Sequence, residues 1–251
     1  MLRLRCLRRD MPPKALSLKP NKEGFQYPAL DAARCVDCKL CEKVCPEMNP
    51  PKKAEPLDIY ALQSKNAEEL FESSSGGAFR LVADSVIQQG GAVVGCVWNE
   101  KMEPVLTIAD SLDGLRPMQG SKYLSSSTEH TYSQTKKLLD AGRMVLFTGT
   151  PCQCAGLLNF LRKPYDNLLT MDFLCHGVPS QMAFDAYREH CEKHRSGKMS
   201  QYKCRDKSAH GWAISESYCV NGKKYTAHGM TSPYLFGFIS GYFNRYSCYT
   251  C

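Results

Sequence analysis

The sequence predicts an α/β chain in two parts. A small cysteine-bearing N-terminal module precedes a larger α/β domain with a partly parallel sheet and an antiparallel extension. Three observations predict it. Four cysteines crowd into Cys35-Val-Asp-Cys38-Lys-Leu-Cys41-Glu-Lys-Val-Cys45-Pro46. Short apolar strands alternate with helix-period segments between residues 92 and 193. From Met199 the pattern changes to polar and apolar alternation around an Asn221-Gly222 hairpin turn.

The cysteine run comes first in the argument. Three cysteines two residues apart, a fourth after three more and a proline directly behind it is the spacing with which bacterial ferredoxins hold a 4Fe-4S cluster. Two intervening residues carry successive thiolates round a tight turn, whose backbone N–H groups face the sulfides. Cys35, Cys38, Cys41 and Cys45 are therefore the expected metal ligands of a ferredoxin-like 4Fe-4S module over residues 1–50. Pro46 ends the loop because it has no N–H to continue a helix. The rival reading is structural zinc, which prefers two knuckles separated by a longer excursion. In two-cluster ferredoxins the cysteine before the proline serves the other cluster, so Cys35, Cys38 and Cys41 would need a fourth thiolate from elsewhere.

Composition narrows the class. A chain of 251 residues, 43% hydrophobic and 23% charged, has the apolar material for one sizeable domain and a small module. Fourteen cysteines with no apolar signal segment at the N-terminus point to a reducing cytoplasm, where thiols are metal ligands, redox groups or core fillers. The longest apolar run, Ala92 to Trp98, is too short to span a bilayer, so no membrane span is expected. A net charge of +7 suits an anionic cofactor or an acidic electron-transfer partner. Without an arginine-rich face or a recognition motif, nucleic acid is not an expected partner.

In chain order, Pro12-Pro13 followed by Lys14 to Leu18 reads as the proline exit and short strand behind a ferredoxin run, but Met11 stands where its last cysteine would be and Cys6 is off the spacing by one. The first half of a two-cluster module is thus degraded or cut away. Residues 47–56 have linker composition, and the second domain runs over 57–251. Leu57 to Gln63 is a candidate short strand. Ser73-Ser-Ser-Gly-Gly77 precedes a helix whose face is Phe79, Val82, Ala83, Val86 and Ile87, with Gly90-Gly91 as its stop. Such a helix start can hold a phosphate, and the bland alternative is a capped turn. Ala92 to Trp98 and Val105 to Ala109 are neighbouring strands, and Thr131 to Ala141 is a helix.

Two similar units follow. Met144 to Phe147 is a strand, Thr148-Gly149-Thr150 its turn, and Pro151 opens the helix Cys152 to Leu161. Leu168 to Leu174 is the next strand, Cys175-His176-Gly177 its turn, and Pro179 opens a helix to about Lys193. This order implies a parallel sheet with ligands at the carboxyl ends of its strands, which places Thr148, Gly149, Thr150, Cys152, Cys175 and His176 on one rim. A cysteine at a helix N-terminus, Cys152, is expected to have a lowered pKa, against the alternative that Cys152 and Cys154 pack beneath a loop. His176 is a rim group or a turn cap. Pro233 to Phe243 is an aromatic helix whose rings face the core. The chain stops at Cys248-Tyr-Thr-Cys251, half of a metal motif, which points to a truncated chain.

Taken together, the run at Cys35 to Pro46, Ser73 to Phe79, Gly120-Ser-Lys-Tyr123, Leu146-Phe-Thr-Gly-Thr-Pro-Cys-Gln153 and Phe173-Leu-Cys-His-Gly-Val-Pro179 resemble, in this order, the beta subunits of coenzyme F420 hydrogenases and dehydrogenases. The specific part is Gly-Thr-Pro-Cys-Gln followed some twenty residues on by Cys-His-Gly. The resemblance implies an iron-sulfur flavoprotein oxidoreductase with a 4Fe-4S cluster and FAD, passing electrons between the cluster and a hydride carrier such as coenzyme F420. It also implies a redox partner protein or subunit. By resemblance, Ser75, Gly76, Gly77, Lys122, Thr148, Gly149 and Thr150 contact the flavin. Lys122 would neutralise the diphosphate or charge on a reduced ring, or else be a surface lysine. Relatives also occur where the deazaflavin F420 is not expected, so the hydride acceptor stays open. The residues show no evident general acid or base. Two other classes remain: a scaffold module whose cysteines hold zinc, and an inactive, incomplete gene product.

Overall fold

The computed structural model describes residues 15–51, 55–128 and 130–251. Cys6, Met11 and the Pro12-Pro13 exit lie outside the described residues. Strands β1 (Leu16–Pro20) and β2 (Gln26–Leu30) form an antiparallel hairpin, from Leu16 opposite Leu30 to Pro20 opposite Gln26. Gly24 sits at its tip with φ +81°, pressed so close to the later chain that a Cβ there would lie 2.6 Å from Met182 Cβ. The cysteine run follows as a loop with one helical turn, α1 (Leu40–Lys43). Asp37 and Lys39 take left-handed φ of 50° and 57°, the sharp reversals that bring a short loop round on itself. Leu16 and Val44 are buried, and with Leu40 and Cys41 they pack into the same apolar cluster as Phe147, Leu157 and Phe160. Asn159 donates to Asn49 O at 3.0 Å across the same seam.

Leu57 to Gln63 is not a strand. It runs as irregular, exposed chain, with Leu57 and Ile59 almost fully open to solvent. It is tied down at its end, where Ser64 N–H donates to Gly76 O at 2.8 Å. Helix α2 (Ala67–Glu72) starts at Asn66, whose side chain accepts from the N–H groups of Glu68 and Glu69. Helix α3 (Ala78–Gln88) follows, then β3 (Ala92–Trp98), β4 (Pro104–Ala109), α4 (Leu112–Leu115), α5 (Thr131–Asp140), β5 (Val145–Thr148), α6 (Pro151–Leu161), β6 (Leu168–Met171) and α7 (Gln181–Arg195).

The four strands form one sheet in the order β4-β3-β5-β6, with β3, β5 and β6 parallel and β4 antiparallel to β3. The mixed α/β reading of the sequence is borne out. Strand β3 is apolar without alternation because both its faces are covered. Val94 faces the cluster under α5 and α6 with Tyr132, Val145, Phe147 and Leu157. Val93 and Leu146 face Ala83 and Val86 of α3 and Leu115 of α4. Strand β6 ends at Met171, three residues before the predicted Leu174, because pairing to β5 stops at Thr148 opposite Met171. Pro179 stays outside α7, and Ser180 is the cap, accepting from Ala183 N–H at 3.3 Å.

The last third is β7 (Met199–Lys203), α8 (Lys207–His210), β8 (Ser215–Val220), β9 (Lys223–His228) and α9 (Pro233–Ile239). The three strands are antiparallel, and the β8–β9 turn has Asn221 at φ 51° and Gly222 at φ 76°, as an Asn-Gly hairpin requires. They enclose a separate core with α7 and α9, built on Phe184, Tyr202, Tyr218, Tyr234 and Leu235. Inside it Glu216 is fully buried, accepting from Tyr202 Oη at 2.6 Å and from Tyr187 Oη. Helix α9 is shorter than predicted and stops before Phe243 because Gly241 turns the chain at φ 74°. Arg245 then runs back to the N-terminal hairpin. Its guanidinium stands 4.9 Å from the Phe25 ring and 4.8 Å from Tyr27, and it donates to Gln26 O at 3.1 Å.

Candidate functional site

A cavity of about 650 Å³ opens at the carboxyl ends of β5 and β6, where a doubly wound sheet collects ligands. Its volume lies within the roughly 300–1,000 Å³ of small-molecule and cofactor sites. Cys96 and Leu106 line it from the sheet, together with Thr148, Gly149, Thr150 and Gln153. The loop 73–79 and the loop 118–124 form two walls, and residues 171–178 form a third. Arg205, Ile214, Phe238 and Ile239 close it from the C-terminal third.

Local rules explain the floor. Thr150 caps α6 in a capping box: its hydroxyl accepts from Gln153 N–H, and the Gln153 side chain returns to Thr150 N–H. Gln153 also donates to Ser126 Oγ at 2.8 Å, so one buried glutamine ties the helix start to a neighbouring loop. Thr148 Oγ1 donates to Val94 O at 2.7 Å, and Gly149 N–H to Met171 O at 3.2 Å. The N–H groups of Gly149 and Thr150 are thus used inside the protein. Gly149 is packed tightly against that capping box, since a Cβ there would sit 3.0 Å from Gln153 Oε1 and 3.1 Å from Gln153 Cβ.

The 73–79 wall ends in α3, whose N-cap is Gly77 at φ +90° with no side-chain cap. Its first backbone bond is Leu81 N–H to Gly77 O, which leaves the N–H groups of Ala78, Phe79 and Arg80 beyond the reach of intrahelical acceptors. Ser74 and Ser121 join the two walls, Ser121 N–H reaching Ser74 Oγ at 2.8 Å and the two hydroxyls lying 2.9 Å apart.

Of the seven residues nominated by resemblance, Ser75, Gly77, Lys122, Thr148, Gly149 and Thr150 line this one cavity. Gly76 does not. It is turned to the exposed 57–63 segment, where a Cβ would lie 2.3 Å from Leu62 O, so it is glycine for close backbone packing. Lys122 is neither a surface lysine nor a group extended into the cavity. Its Nζ lies 2.9 Å from Pro117 O, 3.1 Å from Met118 O, 2.9 Å from Gln119 O and 3.1 Å from Gly120 O. Burial pulls its pKa down to about 8, while the neighbouring thiols of Cys96 and Cys204 act in the opposite sense. The lysine clamps the loop that forms its own wall.

Of the two cysteines expected on the rim, Cys175 lines the cavity and Cys152 does not. Cys154 packs beneath the floor, and burial pushes its thiol up to about 12, aided by the Asp172 carboxylate. Cys152 lies 3.0 Å from Thr150 Oγ1 and is not part of the lining. Cys175 and His176 do line it; His176 Nε2 is 2.8 Å from Ile239 O, with its ring edge-on to Phe238. Phe238 also stacks on Tyr123, centroids 4.6 Å apart, so one ring of the aromatic helix faces the cavity although that helix is otherwise core.

The four cysteines of the run share a loop, Cys45 buried, Cys41 half-buried, Cys35 and Cys38 exposed. Among the described residues no three His, Cys, Asp or Glu side chains converge as a metal centre would require. As a donor set, four thiols spaced along eleven residues suit an iron-sulfur cluster. The cysteine loop packs against α6, the helix that starts at the cavity floor.

Residues 142–251 match the family described as the C terminus of the coenzyme F420 hydrogenase/dehydrogenase beta subunit. Over these residues the chain is similar to the coenzyme F420 hydrogenase/dehydrogenase beta-subunit family. The matched stretch supplies the cavity floor at Thr148 to Gln153, the wall at 171–178, and Arg205, Ile214 and Phe238. A solved xenon derivative of the F420-reducing NiFe hydrogenase complex from Methanosarcina barkeri aligns with a TM-score of 0.49 at 16% identity. The alignment covers 75% of this chain and 63% of that one, so the chain spans less than two thirds of its length. Among curated proteins none matches. Among the described residues no helix is long and apolar enough to cross a membrane.

Sequence reasoning missed Arg205, Gln153 as a floor group, and Tyr123 with Phe238. Gln153 had a signal, since a Thr-x-x-Gln pair around a proline is a capping box. Arg205 had none, being one of many basic residues in an irregular stretch.

Proposed function

We propose that this protein is an iron-sulfur flavoprotein oxidoreductase subunit. In this reading Cys35, Cys38, Cys41 and Cys45 hold a 4Fe-4S cluster, FAD occupies the cavity above the parallel strands, and a small hydride carrier such as coenzyme F420 exchanges with it. A redox partner subunit would exchange electrons at the cluster. The observation that carries the reading is spatial. Residues nominated from three separate motifs line one cavity with the Phe173–Val178 stretch of a fourth, and the cysteine loop packs through Cys41 and Val44 into the cluster of Phe147 and Cys154 beneath that cavity.

Bound flavin would supply the exchange between one-electron and two-electron steps. The chain's own residues bind and orient. Tyr123, Phe173 and Phe238 offer aromatic surface to a planar ring. Gly149 lets the floor turn pack closely on Gln153, the residue that fixes the start of α6. The open N–H groups at the start of α3, with Ser75 beside them, suit a phosphate. The Ser74–Ser121 pair ties the two walls together, and Lys122 sets the shape of its own wall.

Iron, sulfide and flavin quantified on one anaerobically purified sample test the proposal. The expected result is iron and sulfide in equal amounts with bound flavin, and Cys38→Ala and Cys41→Ala lowering iron while leaving flavin. A colourless protein containing zinc would overturn it in favour of a structural metal module.

A further inference from the structure

Two cations line the cavity, and only one has its hydrogen-bonding capacity spent. Lys122 gives its three protons to the four carbonyls of its own loop. Arg205, half-buried, is placed differently. Nη2 reaches Ser74 O and Trp212 O, each at 3.2 Å, and Nη1 reaches Tyr123 Oη at 3.4 Å. A guanidinium carries five N–H groups, so the Nε proton and one Nη1 proton stand without an acceptor among the described residues. These bonds fix the plane of the fork against two cavity walls and the C-terminal third at once.

Other half-buried arginines of the chain have carboxylates: Arg80 pairs with Asp84, and Arg188 with Asp185. Among the described residues no ion pair joins Arg205 to an acid. Asp172 is the carboxylate in the same lining. Lys207 is close enough that Arg205 helps lower its pKa, after burial and against Glu72, so positive charge is gathered on this side. A partly desolvated guanidinium without a carboxylate is stabilised by an anion, and its fork matches the geometry of a phosphate.

Building on the flavin reading above, we infer that Arg205 is the phosphate-binding residue of the cavity, directed at the diphosphate of a flavin dinucleotide. The residue belongs to the 73–79 wall through Ser74, so it stands on the side where α3 begins. A ligand phosphate would then meet a fixed fork instead of the lysine of the 118–124 loop.

The test is the binding of FAD, FMN and riboflavin to the flavin-free full chain, followed by flavin fluorescence, for wild type, Arg205→Met and Arg205→Lys. Loss of one charge-assisted phosphate contact weakens binding by about tenfold to a hundredfold. Arg205→Met is expected to lose that on FAD and keep wild-type affinity for riboflavin, which has no phosphate. Arg205→Lys, which keeps the charge without the fork, is expected to fall between. An equal loss on FMN puts the guanidinium at the phosphate next to the ribityl chain, and retention of FMN puts it at the second phosphate; both support the assignment. Equal losses on all three ligands would make Arg205 a wall-shaping residue and overturn it, as would wild-type affinity of Arg205→Met for FAD. A wild-type chain that binds none of the three would overturn the flavin reading itself, a result distinct from either.

Discussion

Replacing Lys122 by Met separates a loop clamp from a ligand contact. Methionine keeps the apolar stem and removes the three donors. Each charge-assisted hydrogen bond contributes about 1.5–3 kcal/mol, so three give roughly 4.5–9 kcal/mol. The fall of the lysine pKa from 10.5 to about 8 sets against this about 3.4 kcal/mol for burying the charge. The difference, roughly 1–6 kcal/mol, leaves about 3 kcal/mol as a working figure, and at about 2–4 °C per kcal/mol the flavin-free variant should melt about 6–12 °C lower. Faster amide exchange over residues 117–123 should accompany the loss. The sign of the pH dependence follows from the lowered pKa. Below about pH 8 the lysine is charged in folded and unfolded chains alike and the burial cost is fully present. Between about 8 and 10.5 the folded chain releases the proton first, so the cost is lifted and stability from this site rises with pH. Wild type minus Lys122→Met should therefore grow across that window. A flavin-free variant that melts with wild type yet loses flavin affinity would refute the clamp and make Lys122 a ligand contact.

Arg245 joins the N-terminal hairpin to the wall segment through Gln26 O and, by its own N–H, Val178 O at 2.9 Å. Arg245→Met should cost about 2–4 kcal/mol and open residues 15–30 to limited proteolysis while 142–251 stays protected; an unchanged digestion pattern would count against the seam. Asp206, beside Arg205, is buried, which opposes its charge, but it accepts from Lys224 Nζ at 2.8 Å, Ser208 N–H at 2.7 Å and Ser217 Oγ at 2.5 Å, and these hold its carboxyl well below the usual carboxylate range. Its stabilisation is present above the ordinary carboxylate pKa and is lost as pH falls. Asp206→Asn should cost about 2–4 kcal/mol in urea unfolding at pH 7, with the gap to wild type narrowing below about pH 4.

The amino-acid sequence by itself determined the elements whose causes are local. Pro151 behind Thr150 starts a helix, Asn221-Gly222 turns a hairpin, and Ala92 to Trp98, apolar throughout, declares a strand covered on both faces. The cavity floor was legible for the same reason: it is a strand end and a helix start adjoining in the chain. Tertiary structure decided what depends on direction and distance. Leu57 to Gln63 has strand composition but no ladder partner, so it stays irregular. Gly76 and Gly77 are neighbours, yet one backs onto Leu62 and the other faces the cavity. Lys122 turns its charge on its own carbonyls, which spacing could not foretell. Arg205 reaches Ser74 across 131 positions of chain, a separation over which no periodicity or motif carries information. Only the packing of the three-stranded sheet beside the four-stranded one brings those two segments to the same wall.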